Sequence, residues 1–406
     1  MTSKLPHHAR LCFRGATRVS SGPEASLPLD GVNHRVYAQW MKTTYLLMLV
    51  LVGLLLSGCG FIFNQPLVGP DGTTAVFVGD DGTYNLLPEG DSHLALLQGG
   101  EVIHINNVPS TGDSGVLDWS ADGSSILFME AEQDEYGQPI AWNVRTSGVQ
   151  TSSLPATLFR TEDMILAPLF AEGGDITYLW AQDDSDLPVL TLYSREDGTN
   201  RILHDNVISY RRVTRDGVLA IISETIEGSL KLAHVSTYEI ATGQTDEVAS
   251  FFLTQGMEDT LFLLPATFLW DVAPKDELVA VCIYDQALIT PQVEDSDDQP
   301  ALYLINPGQE GAHKVSDAGV VPAFSPDGDL LSYIGATGEE SDVPVIYLYD
   351  MGRQESRPLD NTIGASSLFW MDNQTLGFTI ENQDDTYRIM KVSLASGAVT
   401  QLLPQI

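Results

Sequence analysis

The stretch "PAFSPDGDLLSYIGA" (322–336) sets an aromatic residue, a Ser-Pro-Asp-Gly tetrapeptide and an apolar run side by side. By its chemistry Ser325-Pro326-Asp327-Gly328 is a hairpin turn. Proline presets φ at the second turn position, the aspartate carboxylate accepts nearby backbone N–H groups, and glycine takes the positive φ that closes the turn. Asp329 to Ile334 follows without a helix-capping signal and reads as a strand buried on both faces.

The chain repeats this arrangement. "VGPDGTTAVFVG" starts at Val68, "DWSADGSSILFM" at Asp118, "LFAEGGDITYLW" at Leu169 and "RVTRDGVLAIIS" at Arg212. "DVAPKDELVAVC" follows from Asp271, "AFSPDGDLLSYI" from Ala323 and "FWMDNQTLGFTI" from Phe369. The starts lie 50, 51, 43, 59, 52 and 46 residues apart. The turn residues are Asp71-Gly72, Asp122-Gly123, Asp216-Gly217 and Asp327-Gly328, with degenerate copies at Lys275-Asp276 and Asp372-Asn373. A second hairpin follows most copies, as in "VIYLYDMGRQESRPL" (345–359). Four short strands per ~50-residue unit predict an all-β fold, a β-propeller of four-stranded antiparallel sheets. Seven blades are expected, or six if the first unit is a partial blade completed by the C-terminal strand. A pair of β-sandwiches is the competing arrangement.

These repeats resemble the WD40-like propeller repeat of the Tol-system TolB family and of the propeller domains of prolyl oligopeptidase-type and dipeptidyl peptidase enzymes. The resemblance covers nearly all of residues 66–404. It implies envelope protein partners, while the peptidase relatives carry a separate hydrolase domain with a G-x-S-x-G elbow. No such elbow occurs here, so a propeller without the catalytic half is expected. TolB-like proteins also depart from this chain: they are not lipidated, they carry a separate N-terminal α/β domain, and their propeller has six blades.

A second stretch, "MKTTYLLMLVLVGLLLSGCG" (41–60), reads as a secretory signal. Lys42 is followed by an apolar core from Tyr45 to Leu56 and then by Leu56-Ser57-Gly58-Cys59. The run is shorter than the ~20 apolar residues of a spanning helix. Its ending is similar to the bacterial lipoprotein signal, which implies cleavage before Cys59 and acylation of its thiol. Two or three acyl chains anchor stably where one binds marginally. The expected organisation is a non-native or disordered extension (1–40), with Met41 as the initiator, a signal peptide (41–58), a lipidated tether (59–66) and the propeller (67–404). The expected location is the cell envelope, lipid-anchored on the extracytoplasmic side. Cys282, in "ELVAVCIY", reads as a small buried hydrophobe, so no disulfide framework holds the ring.

Charge excludes one class of partner. The chain has 20 Lys+Arg against 55 Asp+Glu. Residues 1–58 contribute six basic and two acidic residues, leaving 14 against 53, a net charge of −39, from Cys59 onward. Binding to nucleic-acid phosphates needs the opposite sign. The acids cluster in the links between the two hairpins of a repeat: 130–139, 181–188, 286–300, 335–344 and 381–385 hold 17 Asp or Glu and no Lys or Arg. If the Asp-Gly turn joins the first two strands of each blade, these links share one rim. Asp183, Asp184, Asp186, Glu294, Asp295, Asp297 and Asp298 are then a candidate binding rim for a basic envelope protein. A solubilising hydrated face is the plainer reading. No cofactor is expected. Calcium is the ion that "EDSDD" and "DDSD" would suit, although neither has EF-hand spacing. The apolar link "ASFFLTQGMEDTLFLLPAT" (249–267) reads as an extra strand on the ring or an exposed docking patch.

Catalytic signatures are sparse. Gly112-Asp113-Ser114-Gly115 matches the tetrapeptide around the trypsin-like nucleophile, but no matching histidine segment accompanies it. His93, His104, His204, His234 and His313 lack metal-ligand spacing. Trp119, Phe170, Phe324 and Trp370 share one repeat position and are expected to pack between blades. The sequence therefore points to a membrane-anchored binding or assembly module. The alternative is a propeller enzyme or solute-binding protein with a carbohydrate or peptide site in its central channel.

Overall fold

The computed structural model describes residues 65–402, apart from 80–83, 85–91, 99–100, 111–113, 135–138, 150–154, 181–186, 214–216, 228–229, 253–268, 276–277, 285–299, 307–311, 337–342 and 383–386. The signal residues Leu56, Ser57, Gly58 and Cys59 lie outside this set, as do Asp216 and all seven residues named for the acidic rim.

Seven antiparallel sheets follow one another along the chain, each of four consecutive strands. The first holds β1 (Leu67–Val68), β2 (Thr74–Gly79), β3 (Ser92–Gln98) and β4 (Glu101–Ser110); the second β5 (Ser114–Trp119), β6 (Ser125–Gln133), β7 (Pro139–Gly148) and β8 (Ala156–Thr161). The third holds β9 (Ile165–Phe170), β10 (Ile176–Trp180), β11 (Val189–Tyr193) and β12 (Asn200–His204); the fourth β13 (Val207–Arg212), β14 (Val218–Glu227), β15 (Leu230–Glu239) and β16 (Thr245–Phe252). The fifth holds β17 (Trp270–Val272), β18 (Val279–Tyr284), β19 (Pro300–Ile305) and β20 (Ala312–Ser316). The sixth holds β21 (Val320–Phe324), β22 (Leu330–Ala336), β23 (Pro344–Asp350) and β24 (Glu355–Pro358); the seventh β25 (Ala365–Asp372), β26 (Thr375–Glu381), β27 (Tyr387–Ser393) and β28 (Val399–Gln401). The first strand of a sheet meets its counterparts: β5 lies against β1 and β9, β21 against β17 and β25, and β25 against β1. First strands thus encircle one axis. The fold is a seven-bladed β-propeller, and the first unit is a blade in its own right.

The core is divided among the blade junctions. Each cluster of buried apolar side chains is shared by adjacent sheets, from Phe77 and Phe128 between the first and second to Leu348 and Phe378 between the sixth and seventh. Second strands such as β2 and β22 are therefore buried on both faces, which is why they read as unbroken apolar runs. Closure between the last and first blades uses no exchanged strand among the described residues. Val76, Val78, Ala95 and Leu97 pack there against Ile389 and Leu402. Tyr84 forms a β-bridge with Tyr387, and their rings meet edge to face at 6.3 Å.

The turns show why the tetrapeptide recurs. Asp327 Oδ1 accepts the Ser325 hydroxyl at 2.6 Å and the Asp329 N–H at 3.2 Å, while Ser325 Oγ accepts the Leu330 N–H at 3.0 Å. Asp122 Oδ1 does the same with the Ser120 hydroxyl at 2.7 Å and the Ser124 N–H at 3.0 Å. Gly123 and Gly328 take φ of 70° and 74°, the region that a Cβ disfavours. The turns also touch: the Pro70 ring lies over Gly123, and the Pro274 ring over Gly328, so proline and glycine of neighbouring turns interlock.

The Ser120 hydroxyl and then the Ser124 N–H lower the Asp122 carboxyl to about 2. A folded value below the ordinary ~3.9 contributes stability above that value and loses it as pH falls toward 2. Asp122→Asn is expected to lower Tm most above pH ~4.5, with the difference from wild type shrinking toward pH 2 in melts taken across that range. A difference independent of pH would count against this account of the turn.

Candidate functional site

The feature that singles out this ring is a belt of polar clips on the first strands, one step before the turns. Trp119 Nε1 donates to Leu67 O at 3.1 Å, joining the second blade to the first. Asp118 Oδ2 accepts the Phe170 N–H at 2.8 Å, joining the second to the third. Arg212 Nη1 donates to Phe170 O at 3.3 Å, joining the fourth blade to the third. Arg212 also reaches past the third blade to grip Asp118 with both terminal nitrogens, at 2.8 Å and 2.7 Å. Its neighbour Arg211 turns the other way, donating to Asp271 Oδ1 of the fifth blade at 3.1 Å, while Trp270 Nε1 donates to Ser209 Oγ at 3.0 Å. Asp271 Oδ2 accepts the Phe324 N–H at 2.7 Å, and Trp370 Nε1 donates to Ala323 O at 3.0 Å, completing the fifth-to-sixth and sixth-to-seventh joints.

Local structure places these groups. Asp118 and Asp271 occupy equivalent positions, each two residues before the residue whose N–H closes the turn (Ser120 to Ser125 O, Ala273 to Leu278 O). In β5 a bulge between Val116 and Asp118 shifts the register there. Trp119 seats flat against Gly69, where a Cβ would come within 2.9 Å of the indole ring. The four aromatics expected to pack between blades do so in two ways. Trp119 and Trp370 use their indole N–H, and Phe170 and Phe324 offer their backbone N–H.

Burial pushes the Asp118 carboxyl above its ordinary range, opposed by the Arg212 guanidinium and the N–H groups of Phe170 and Trp119. Burial likewise raises Asp271, opposed mainly by Arg211, and lowers Arg211. Desolvation is the cost of placing these charges here, and removing one partner strands the other. Their geometry makes them interblade ties.

The other candidates are dispersed. Ser114 and Gly115 begin β5, with Gly112 and Asp113 outside the described residues. His204 Nδ1 faces Asp205 O at 2.8 Å, His234 Nε2 faces the Thr225 hydroxyl at 2.7 Å, and His313 Nε2 faces the Tyr349 hydroxyl at 2.9 Å. Among the described residues no three His, Cys, Asp or Glu side chains converge as metal ligands. Cys282 is buried in β18, where its thiol faces Gly319 O at 3.3 Å and burial pushes its pKa up. The Asp-Gly turns join the first and second strands, so the five acidic links do join second to third strands on one rim. Two of their acids are strand residues in ion pairs: Glu130 with Arg145 at 2.6 Å, and Glu132 with Arg160 at 2.9 Å. Residues 249–252 of the apolar link belong to β16, with Phe251 buried against the fifth blade; 253–267 lie outside the described residues.

No protein-family model and no curated protein matches the chain. Solved structures do. An oligogalacturonate lyase in complex with manganese is 14% identical over 84% of this chain and 86% of its own, with a TM-score of 0.50. A puromycin-hydrolysing peptidase of Mycobacterium tuberculosis is 11% identical over 86% of this chain and 55% of its own, at 0.52. TolB from Acinetobacter baumannii is 11% identical over 81% and 78%, at 0.43. At such identities the likeness shows a shared propeller fold, one that serves proteins of different activities.

Asp118→Ala leaves the Arg212 guanidinium and the Phe170 N–H without their acceptor. It is expected to cost about 3–5 kcal/mol in urea unfolding, and Asp118→Leu combined with Arg212→Met is expected to cost less than that single change. A loss within ~0.5 kcal/mol, the range of ordinary surface changes, would show the belt to be dispensable.

Proposed function

We propose that this protein is an extracytoplasmic binding module, lipid-anchored through Cys59, whose acidic rim receives a basic protein of the cell envelope. One observation carries the reading: the charged groups of the first strands are spent on holding blades together, whereas the acids of the second-to-third links vary in number and length from blade to blade. A rigid scaffold presenting variable loops is the usual division of labour in binding proteins. A net charge of −39 from Cys59 onward favours a cationic partner and speeds its encounter, with strong dependence on salt. A carbohydrate or peptide in the central channel is the competing reading.

Two measurements bear on this. Labelled palmitate is expected to enter the protein, and Cys59→Ser is expected to abolish both the label and membrane retention. The envelope-borne protein is also expected to co-purify with a basic partner at low salt and release it at high salt, with recovery reduced in the Asp295, Asp297 and Asp298 to Asn variant. Recovery equal to wild type in that variant would remove the rim from the account. An empty capture would turn attention to the channel.

A further inference from the structure

The exposed large apolar side chains are not scattered over the ring. Among the described residues they are Ile140, Met164, Ile202, Ile226, Val343 and Ile363. Ile202 lies on β12, the outer strand of its blade. The other five all lie on the rim that carries the second-to-third links and the connections between blades. Ile226 is near the end of β14, Ile140 is the second residue of β7, Val343 precedes β23, and Met164 and Ile363 sit just before β9 and β25. Ile226 and Ile363 are 65% and 63% exposed, so these are more than the edges of buried side chains.

One grouping lies where the sixth and seventh blades meet. The Gly364 N–H donates to Pro344 O at 2.8 Å, which sets the two preceding residues, Ile363 and Val343, at one point on the surface. Asp360 is exposed in the same connection, and Val343 is preceded in the chain by Glu339-Glu340-Ser341-Asp342. A second grouping forms between the second and third blades. Trp142 is registered opposite Thr161, so Ile140 runs out beside the connection holding the exposed Glu162, Asp163 and Met164. Two basic side chains of this rim already lie against carboxylates, Arg160 with Glu132 and Glu162, and Lys314 with Asp317.

We infer that this rim, and the Val343–Ile363 point above all, docks a protein segment in which aliphatic side chains alternate with Lys or Arg. The inference rests on the reading of an acidic binding rim and adds the apolar half of the recognition. Aliphatic groups left in water beside carboxylates fit a partner that brings both a cation and an apolar surface, since the apolar contact adds affinity that salt does not screen. The tether supports the orientation. The chain enters β1 from this same side, and Cys59 to Pro66 is eight residues, a reach of at most ~29 Å fully extended. Anchoring at Cys59 would hold the β1 side of this rim within that reach of the membrane. The rim's negative charge opposes anionic lipid and favours the basic, membrane-proximal segment of another protein.

The test places a photoreactive benzoylphenylalanine at position 343, 363 or 295 of the full chain in growing cells. Position 353, in the opposite-rim turn between β23 and β24, is the control. Crosslinks from 343 and 363, absent from 353, that map by mass spectrometry to one Lys- or Arg-rich segment with interspersed aliphatic residues support the inference. Ile363→Ser is then expected to weaken binding of that partner segment about tenfold at low and moderate salt alike, whereas the Asp-to-Asn changes weaken it most at low salt. Crosslinks to that partner from 295 but not from 343 or 363 would overturn the inference and leave the acidic rim standing. Crosslinks from 343 and 363 to lipid would overturn it in favour of membrane contact. Silence at all three positions would remove both.

Discussion

A carboxylate buried at the inner edge of one blade, Asp118, holds a backbone N–H of the next blade and the guanidinium of the blade after that. That single arrangement sets the terms for the rest of the ring. A propeller blade exposes apolar faces on both sides, and hydrophobic burial alone is non-directional, so packing brings blades together without fixing their relative angle. Hydrogen bonds from named groups on the first strands supply the direction. From the first blade to the seventh, each joint carries such a clip at the same level, built from Trp, Asp or Arg side chains. Among the described residues, the last joint, between the seventh and first blades, holds an apolar layer and the Tyr84–Tyr387 bridge.

This division explains how so acidic a chain stays folded without a disulfide in its ring. Basic residues are few, and several are placed where a carboxylate would otherwise be buried alone: Arg212 beside Asp118, Arg211 beside Asp271, Arg145 beside Glu130. The remaining acids lie largely in turns, where serine hydroxyls and backbone N–H groups accommodate them, and in the links of the opposite rim. With the frame held from within, link length and sequence are free to vary. Among the described residues, five of the six exposed large aliphatic side chains lie on that rim.

Much of the architecture was legible in the chain because the turn chemistry is local. Ser325-Pro326-Asp327-Gly328 specifies its hairpin from four neighbouring residues, and the ~50-residue spacing turns that local signal into a blade count. The belt was not legible in the same way. Asp118 and Asp271 stand at the head of two repeats, in "LDWS" and "WDVA", but a charge beside a tryptophan acquires meaning only when the fold brings Arg212 and Arg211 against it. The adjacent arginines of "SYRRVT", in a chain so poor in basic residues, were the available signal. The rim was half legible. Its carboxylates show in the sequence, while the exposure of Ile363 and Val343 shows only in the folded ring. Glu130 and Glu132 read as link residues because strand ends are not marked in sequence, and β6 in fact runs on through both.

Native-state hydrogen exchange resolved along the chain tests the central claim most directly, since local opening energies report where a structure is held. The belt predicts the slowest exchange in the first and second strands of the second to sixth blades, with faster exchange in β1, β2, β27 and β28 at the seam. Slow, uniform exchange through all seven blades, or a seam that outlasts β5 and β13, would contradict it.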